Sequence, residues 1–285
     1  MKRVIALGFF DGLHRGHAAL ISRTVRLARE EGATPCVLTF DRPPAKNVLE
    51  INTNADKVEG IKRIFGIDDV ITICFDEKTR MMPWRDFASM LVDEYGACHL
   101  VAGYDFRFGY MGEGNTAMLR KFCEERGVGF DKVEKVSLNG DTVSSTMIRA
   151  LLADGKLRQA NEYLGHAHYF SGIVQHGLRV GRTLGFPTVN LMLPEGVVAP
   201  KFGVYGTEVT TPEGVYRGIT NVGVSPTVKD DGVVSIETNL FGFRGDLYGQ
   251  RIRIDYLVYI RPERKFSSIE ELKRQIARDS TFFNT

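Results

Sequence analysis

The spacing of apolar residues changes near residue 165, and before that point two patterns alternate. The apolar run Val4–Leu7 predicts a buried strand, and Leu20 and Leu27 then recur at helical spacing within a predicted helix over residues 17–31. Further strands are predicted at Val37–Phe40, Val70–Phe75 and Leu100–Ala102, and further helices near Ile61, Leu91 and Leu119 and at Thr146–Ala153 and Leu157–Leu164. This α/β alternation predicts a parallel sheet with helices on both faces over residues 1–164.

The rest of the chain, residues 165–285, is mostly β in pattern. Apolar or aromatic residues recur at every second position, as in a half-buried strand, at Ile252, Ile254, Tyr256, Val258 and Ile260. Other strands are predicted at Tyr169–Val174, Val204–Thr210, Val215–Gly218 and Val234–Leu240, with hairpin turns at Thr211–Gly214 and Lys229–Gly232. Ser267, followed by Glu270 three residues later, predicts a capping box that opens a last helix. The pattern favours a small antiparallel β-barrel with a terminal helix.

The composition indicates a soluble globular protein, and 285 residues are enough for two domains. A net charge of +2 gives no reason to expect nucleic acid or an anionic membrane as a partner. No signal peptide is recognised, and no apolar stretch approaches the roughly 20 residues of a membrane-spanning helix. The four cysteines match no zinc pattern, so buried, reduced thiols and a cytoplasmic location are expected.

Gly8–His17 is the densest chemical motif, and it joins the first predicted strand to the first predicted helix. Backbone N–H groups at the start of a helix attract anions, and glycines allow the backbone to approach a polyphosphate closely. His14 and His17 are three residues apart, so both rings can face one side and donate hydrogen bonds to phosphate oxygens. Residues proposed for nucleotide binding here are Gly8, Phe10 and Gly16.

A second glycine-rich segment, Gly177–Asn190, lies in the β half. Thr188 and Asn190 are two residues apart, so on an extended segment their side chains point the same way. A hydroxyl and an amide oxygen suit Mg²⁺ and the phosphates of ATP. Gly181 and Arg182 are further candidates for nucleotide binding. A loop that only turns the chain is the alternative that the residues alone leave open.

Three segments of the first half resemble one branch of the nucleotidyltransferase superfamily. Gly8–His17 is similar to the HxGH signature as it is written in FAD synthetases. Gly103–Gly109, which contains Asp105, is similar to the GxDFRFG segment of that branch, and Val143–Arg149 is similar to its ISSTxIR segment. The resemblance implies a Rossmann-like nucleotidyltransferase domain. It also implies that ATP is bound by Asp105, Ser144, Ser145, Thr146 and Arg149 as well as by the histidines.

The second half resembles riboflavin kinases. Pro187–Asn190 is similar to their PTAN signature with Val189 in place of alanine, and Ser235–Leu240 is similar to the strand that carries their catalytic glutamate, here Glu237. The resemblance implies that Glu237 is a general base, that Thr188 and Asn190 hold Mg²⁺, and that riboflavin, FMN, FAD and ATP are the small-molecule partners. Phosphorylation of riboflavin and adenylylation of FMN are the implied reactions.

One departure from the family pattern leaves alternatives open. Pro43 occupies the position of a family histidine after the second strand, and proline cannot donate a hydrogen bond to phosphate. A chain with riboflavin kinase activity alone and a weakened first half is therefore one alternative. A regulator that binds flavin or nucleotide without turnover is another.

Overall fold

The computed structural model describes residues 1–44, 47–175, 188–224, 233–264 and 266–284. The fold divides into two compact units, Met1–Ser145 and Thr146–Thr285. Among the described residues, no helix is long and apolar enough to cross a membrane.

The first unit is built on a five-stranded parallel sheet in the order β3-β2-β1-β4-β7. Its strands are β1 (Arg3–Leu7), β2 (Thr34–Phe40), β3 (Asp69–Ile73), β4 (Ala97–Gly103) and β7 (Gly129–Val133). Its helices are α1 (Arg15–Glu31), α2 (Asn54–Phe65), α3 (Glu77–Arg80), α4 (Trp84–Asp93) and α5 (Thr116–Arg126). Two small hairpins complete the unit, β5 (Arg107–Phe108) with β6 (Gly114–Asn115) and β8 (Ser137–Leu138) with β9 (Asp141–Thr142).

Strand β1 forms the centre of the first core because both of its faces are buried. Ile5 and Leu7 pack into one hydrophobic cluster, whereas Val4 and Ala6 pack into another on the opposite face. This arrangement confirms the prediction of a parallel sheet covered on both sides. The edge strand β7 is missing from the sequence prediction, because polar residues interrupt its apolar pattern.

The second unit is a six-stranded antiparallel sheet in the order β10-β15-β12-β13-β14-β11. Its strands are β10 (His168–Ile173), β11 (Thr188–Met192), β12 (Gly203–Thr211), β13 (Gly214–Val224), β14 (Val234–Leu240) and β15 (Arg251–Arg261). Helix α6 (Ser145–Asp154) leads into the unit, α7 (Leu157–Leu164) packs against β10 and β15, and α8 (Ile269–Asn284) ends it. The curled sheet with its terminal helix confirms the predicted fold class of this half.

A buried ladder of hydroxyl groups fixes the register of three strands in the second unit. Thr220 Oγ1 lies 2.8 Å from Thr207 Oγ1 and 2.8 Å from Thr238 Oγ1. All three threonines are fully buried, and Thr207 also donates to the carbonyl oxygen of Gly218. Because each hydroxyl has a partner, burying these polar groups is not destabilising.

Three local predictions need comment. The predicted cap at Ser267 and Glu270 is wrong by one residue, because Ser268 Oγ accepts from the backbone N–H of Glu271 at 3.1 Å. Burial of all cysteines is also wrong, since Cys74 is exposed. Thr211–Gly214 is a hairpin turn as predicted, whereas Lys229–Gly232 lies outside the described residues.

Candidate active sites

The first candidate site is the turn between β1 and α1. A short 3-10 turn spans Asp11–Leu13, and Phe10 and Leu13 adopt left-handed backbone angles with φ of 57° and 47°. Such angles are strained for residues with a side chain, and strain of this kind concentrates at functional sites. The turn lies at the carboxyl end of the central strand, where open α/β sheets bind their ligands.

Two glycines of the motif make room for side chains of the turn itself. A Cβ atom at Gly8 would lie 3.0 Å from the Phe10 ring, and one at Gly16 would lie 3.0 Å from Cε1 of His14. Phe10 is fully buried and contacts His17 edge-on at a centroid distance of 5.2 Å. The glycines predicted to admit a polyphosphate therefore also allow the Phe10 and His14 rings to pack closely.

His14 and His17 form a stacked pair, and their spacing predicted only that both rings can face one side. Their ring centroids are 3.6 Å apart with an interplanar angle of 13°. His14 caps α1, because its Nδ1 accepts from the backbone N–H of His17 at 3.3 Å. An Nδ1 atom that accepts a hydrogen bond carries no proton, so His14 presents its proton on Nε2.

The two rings differ in their hydrogen bonds and charge. Burial, together with the nearby His14 and Lys57, lowers the pKa of His17 well below its usual value, so this ring is neutral at pH 7. Nδ1 of His17 is buried without a hydrogen-bond partner among the described residues. The site therefore offers neutral imidazoles as hydrogen-bond donors rather than two cations.

Lys57 is a residue of this site that the sequence analysis missed. It lies on α2 with a relative exposure of 1%, and its Nζ donates to the carbonyl oxygen of Phe40 at 2.7 Å. The same Nζ is 4.0 Å from the centroid of the Phe9 ring. Lys57 precedes the buried Ile61 by one helical turn, so the two residues share a helix face. A lysine on the core-facing side of a predicted helix was the sequence feature that could have identified it.

The remaining candidates of the first half lie at three places. Ser145, the first residue of α6, contacts the turn, because its Oγ donates to the carbonyl oxygen of Asp11 at 2.9 Å. Ser144 is the residue before it. Asp105 is exposed in the tight turn after β4, the strand next to β1. Thr146 and Arg149 belong to the second unit on α6, where Arg149 Nη2 donates to Thr146 Oγ1 at 3.1 Å.

The second candidate site is a row of side chains across three strands of the second unit. Asn190 of β11 and Asn221 of β13 are the direct neighbours of Glu237 on β14, one on either side. Residues directly opposite in an antiparallel sheet share a face, with Cβ atoms about 4.5–5.5 Å apart. Thr188 lies on this face too, whereas Val189 between them is buried on the other face, as predicted.

A second carboxylate lies beside this row. Asn221 Nδ2 donates to Glu263 Oε1 at 3.0 Å. Glu237 is open to solvent, and partial desolvation followed by the Glu263 carboxylate raises its pKa. Glu263 was not predicted, because only the fold brings it next to β13. Gly181 and Arg182 lie outside the described residues.

The oxygen atoms of this row are of the kind that Mg²⁺ binds. Thr188 offers a hydroxyl, Asn190 an amide oxygen and Glu237 a carboxylate, and Mg²⁺ takes few protein oxygens and keeps several waters. Within the described part of the chain, no cluster of three or more His, Cys, Asp or Glu residues could hold a metal ion. The set suits a magnesium ion that arrives with a nucleotide better than a resident transition metal.

Family models match both halves of the chain. A model described as FAD synthetase matches residues 1–147, and one described as riboflavin kinase matches residues 164–285. The solved structure of a macrolide-efflux protein from Streptococcus pneumoniae has a TM-score of 0.85 at 28% identity, covering 100% of this chain and 94% of that one.

Curated relatives match over almost the whole length. The bifunctional riboflavin kinase/FMN adenylyltransferases of Listeria monocytogenes and Bacillus subtilis are 34% and 35% identical, each over 98% of this chain and 90% of the relative. The Escherichia coli K12 protein of the same description is 35% identical over 97% of this chain and 90% of its own length. The chain thus belongs to the family of bifunctional riboflavin kinase/FMN adenylyltransferases.

Proposed function

We propose that this riboflavin kinase and FMN adenylyltransferase carries its two activities at two separate sites, one in each unit. The second unit phosphorylates riboflavin with ATP to give FMN, and the first unit adenylylates FMN with a second ATP to give FAD and pyrophosphate. One observation carries this assignment: the stacked His14–His17 pair and the Asn190–Glu237–Asn221 row belong to different compact units.

Glu237 is the proposed general base of the kinase step. Its carboxylate accepts the proton of the riboflavin 5′-hydroxyl while that oxygen bonds to the γ-phosphorus of ATP and the bond to ADP breaks. A raised pKa makes the carboxylate a stronger base, provided that it remains ionised at the working pH. Asn190 and Asn221 flank Glu237 and restrict where the substrate hydroxyl can lie.

Thr188 and Asn190 are the proposed magnesium ligands. Their oxygens lie on the same face of β11 as the base on β14, so the metal and the reacting hydroxyl would be near each other. When bound with ATP, Mg²⁺ neutralises charge on the phosphates. Arg182 and Gly181 are proposed to contact the same nucleotide.

The first unit is proposed to act mainly by binding and charge stabilisation. A phosphate oxygen of FMN attacks the α-phosphorus of ATP and pyrophosphate leaves, so no protein base is needed. Nε2–H of His14 and the neutral His17 ring donate to the triphosphate as negative charge builds on the leaving group. Further proposed contacts to the nucleotide within this unit come from Gly8, Phe10, Gly16, Asp105, Ser144 and Ser145. Contacts from Thr146 and Arg149, which lie at the start of the second unit, stay a prediction from the sequence.

A product assay tests the proposal as a whole. The purified chain is incubated with riboflavin, ATP and Mg²⁺, and the products are separated by chromatography. FMN that is converted to FAD is the expected result. FMN as the only product would support the kinase-only alternative motivated by Pro43, and unchanged riboflavin would support a non-catalytic regulator. A cytoplasmic location and the lack of a nucleic-acid partner stay predictions from the sequence.

A further inference from the structure

Lys57 is a buried cation at the carboxyl ends of the two strands that border the first site. Phe40, whose carbonyl oxygen accepts from Lys57 Nζ, is the last residue of β2, and Phe9, whose ring faces the same Nζ, follows the end of β1. Both contacts use only part of an ammonium group, which has three N–H donors. The side chain therefore connects α2 to the start of the phosphate-binding turn.

The ammonium group of Lys57 is in no direct ion pair with another described residue. The contacts of its Nζ are the carbonyl oxygen of Phe40 and the ring of Phe9. Burial lowers the pKa of Lys57 to about 8, and the carboxylates of Glu50, Asp11 and Asp41 act in the opposite direction. The group is therefore still mostly protonated at pH 7, and a buried charge without a direct partner is unfavourable unless something else uses it.

Neutral contacts already hold the turn against β2. Thr39 Oγ1 donates to the carbonyl oxygen of Phe9 at 2.9 Å, and the backbone N–H of Gly8 donates to the carbonyl oxygen of Leu38 at 3.3 Å. On the other side, Asp11 Oδ1 accepts from the backbone N–H of Ile51 at 2.7 Å. On the β2 side the turn is thus held by neutral groups, so the charge of Lys57 is not needed for that attachment.

We propose that Lys57 is a positioning residue for FMN adenylylation whose charge, from beneath the Phe9–His17 turn, strengthens binding of the triphosphate and of pyrophosphate. Since its relative exposure is 1%, Lys57 acts across the turn and does not touch the phosphates. A fixed charge in a partly dry environment acts over several ångströms, because little water screens it. This inference rests on the proposed adenylyltransferase function of the first unit.

Lys57→Met removes the charge and keeps a side chain of similar length. The probes are pyrophosphate, which is fully charged, and adenosine, which is neutral, and binding to the full chain is measured by calorimetry. The dissociation constant of pyrophosphate should rise about tenfold, roughly the effect of one favourable charge interaction, while that of adenosine changes less than about twofold. In steady-state conversion of FMN to FAD, KM for ATP should rise more than kcat falls.

Two further variants separate charge from packing. Lys57→Arg keeps the charge and should retain most of the pyrophosphate binding. If Lys57→Met does not fold, Lys57→Gln takes its place as the variant without the charge. Thr39→Val removes a neutral contact to the same turn and should not distinguish pyrophosphate from adenosine. Riboflavin phosphorylation, proposed for the other unit, should stay unchanged in all of them.

Two outcomes would overturn the inference. If Lys57→Met weakens the binding of pyrophosphate and of adenosine equally, Lys57 has a packing role. If the binding of pyrophosphate is unchanged, Lys57 has no role in binding. The reference for both outcomes is the wild-type chain, which should bind pyrophosphate and make FAD. A wild-type chain that does neither would contradict the proposed function itself.

Discussion

Single side chains in the two sites owe their chemical state to their surroundings. Burial beside His14 and Lys57 keeps His17 neutral, so the ring can donate one hydrogen bond without adding a charge. Partial desolvation and the neighbouring Glu263 raise the pKa of Glu237 on an otherwise ordinary strand. On an open surface, a histidine would change its charge near neutral pH and a glutamate would be a weak base.

Glu237→Gln should block formation of FMN from riboflavin and leave conversion of supplied FMN to FAD unchanged. Glutamine keeps the shape and cannot accept the hydroxyl proton, so kcat of the kinase step should fall by about 10²–10⁴. Glu208→Gln is the matched control, because Glu208 is also an exposed strand glutamate. Loss of both activities in Glu237→Gln, with folding intact, would contradict separate sites.

Glu50 makes the stability of the first unit depend on pH. Burial raises its pKa to about 7 from its ordinary value of 4.5, so the folded chain holds this proton more tightly than the unfolded chain. The wild type therefore loses stability as pH rises from about 4.5 to 7, by about 1–3 kcal/mol for this group. Glu50→Gln has no such proton to lose.

Urea unfolding at about pH 5 and about pH 8 measures this difference. The variant should gain stability relative to the wild type at the higher pH. Glu59→Gln, an exposed glutamate of α2, controls for general effects and should show the same small difference at both pH values. A Glu50→Gln advantage that is larger at low pH would contradict the assigned sign.

Two helices, α1 and α8, show how helix caps and side-chain contacts fix the position of an element. Helix α1 is capped at its start by His14 and at its end by Gly32, whose φ of 60° favours glycine. Helix α8 is attached to β15 through Asp279, which accepts from both Nε and Nη2 of Arg261. The start of α1 thus forms part of the proposed nucleotide site, whereas α8 is held by an ion pair whose carboxylate is buried.

His14→Asn separates helix capping from catalysis. Asparagine is a preferred cap residue and can accept the same backbone N–H, so the melting temperature should change little. It lacks the Nε2–H donor, so kcat for FMN adenylylation should fall by about 10²–10³. A variant that melts normally and still makes FAD at the wild-type rate would contradict the proposed role of His14.

Asp279→Asn should destabilise the second unit by about 3–5 kcal/mol, because it removes the buried partner of Arg261, whose own side chain is largely covered. Asp279 has a relative exposure of 3%, and the pair is 2.9 Å apart at its shortest contact. Asp154→Asn is the control, since Asp154 pairs with Lys156 on the surface and should cost less than about 1 kcal/mol. The two variants are compared by thermal unfolding, which is monitored as the loss of riboflavin kinase activity with rising temperature.

Over the whole molecule, the architecture was largely predictable because the two units bury their strands in different ways. The first sheet is covered on both faces, so β1 and β2 appear as continuous apolar runs, whereas β15 is half-buried and alternates. Strand β7 was not predicted, because Gly129, Asp131 and Lys132 interrupt the apolar pattern of its sequence. Helix α2 was predicted, although not its buried polar residues.

The proximity of candidate site residues was predictable only where those residues are close in sequence. The spacing of His14 and His17 fixes their proximity on one helix start, and β alternation places Thr188 and Asn190 on one face. Nothing local predicts that Glu263 lies beside Asn221, since 42 residues separate them. The domain boundary at residues 164 and 165 stays a prediction. Helix α7 packs against β10 and β15 of the second unit, and that unit begins at Thr146 within α6.

The most direct test of two independent sites in one chain is a mixing experiment with the Glu237→Gln and His14→Asn variants. With riboflavin, ATP and Mg²⁺, Glu237→Gln alone should leave riboflavin unchanged, and His14→Asn alone should stop at FMN. An equimolar mixture should make FAD, because FMN released by one variant is the substrate of the other. A mixture that accumulates FMN without FAD, although Glu237→Gln converts supplied FMN, would show that FMN does not leave the chain that made it. A Glu237→Gln chain that cannot convert supplied FMN at all would contradict the account.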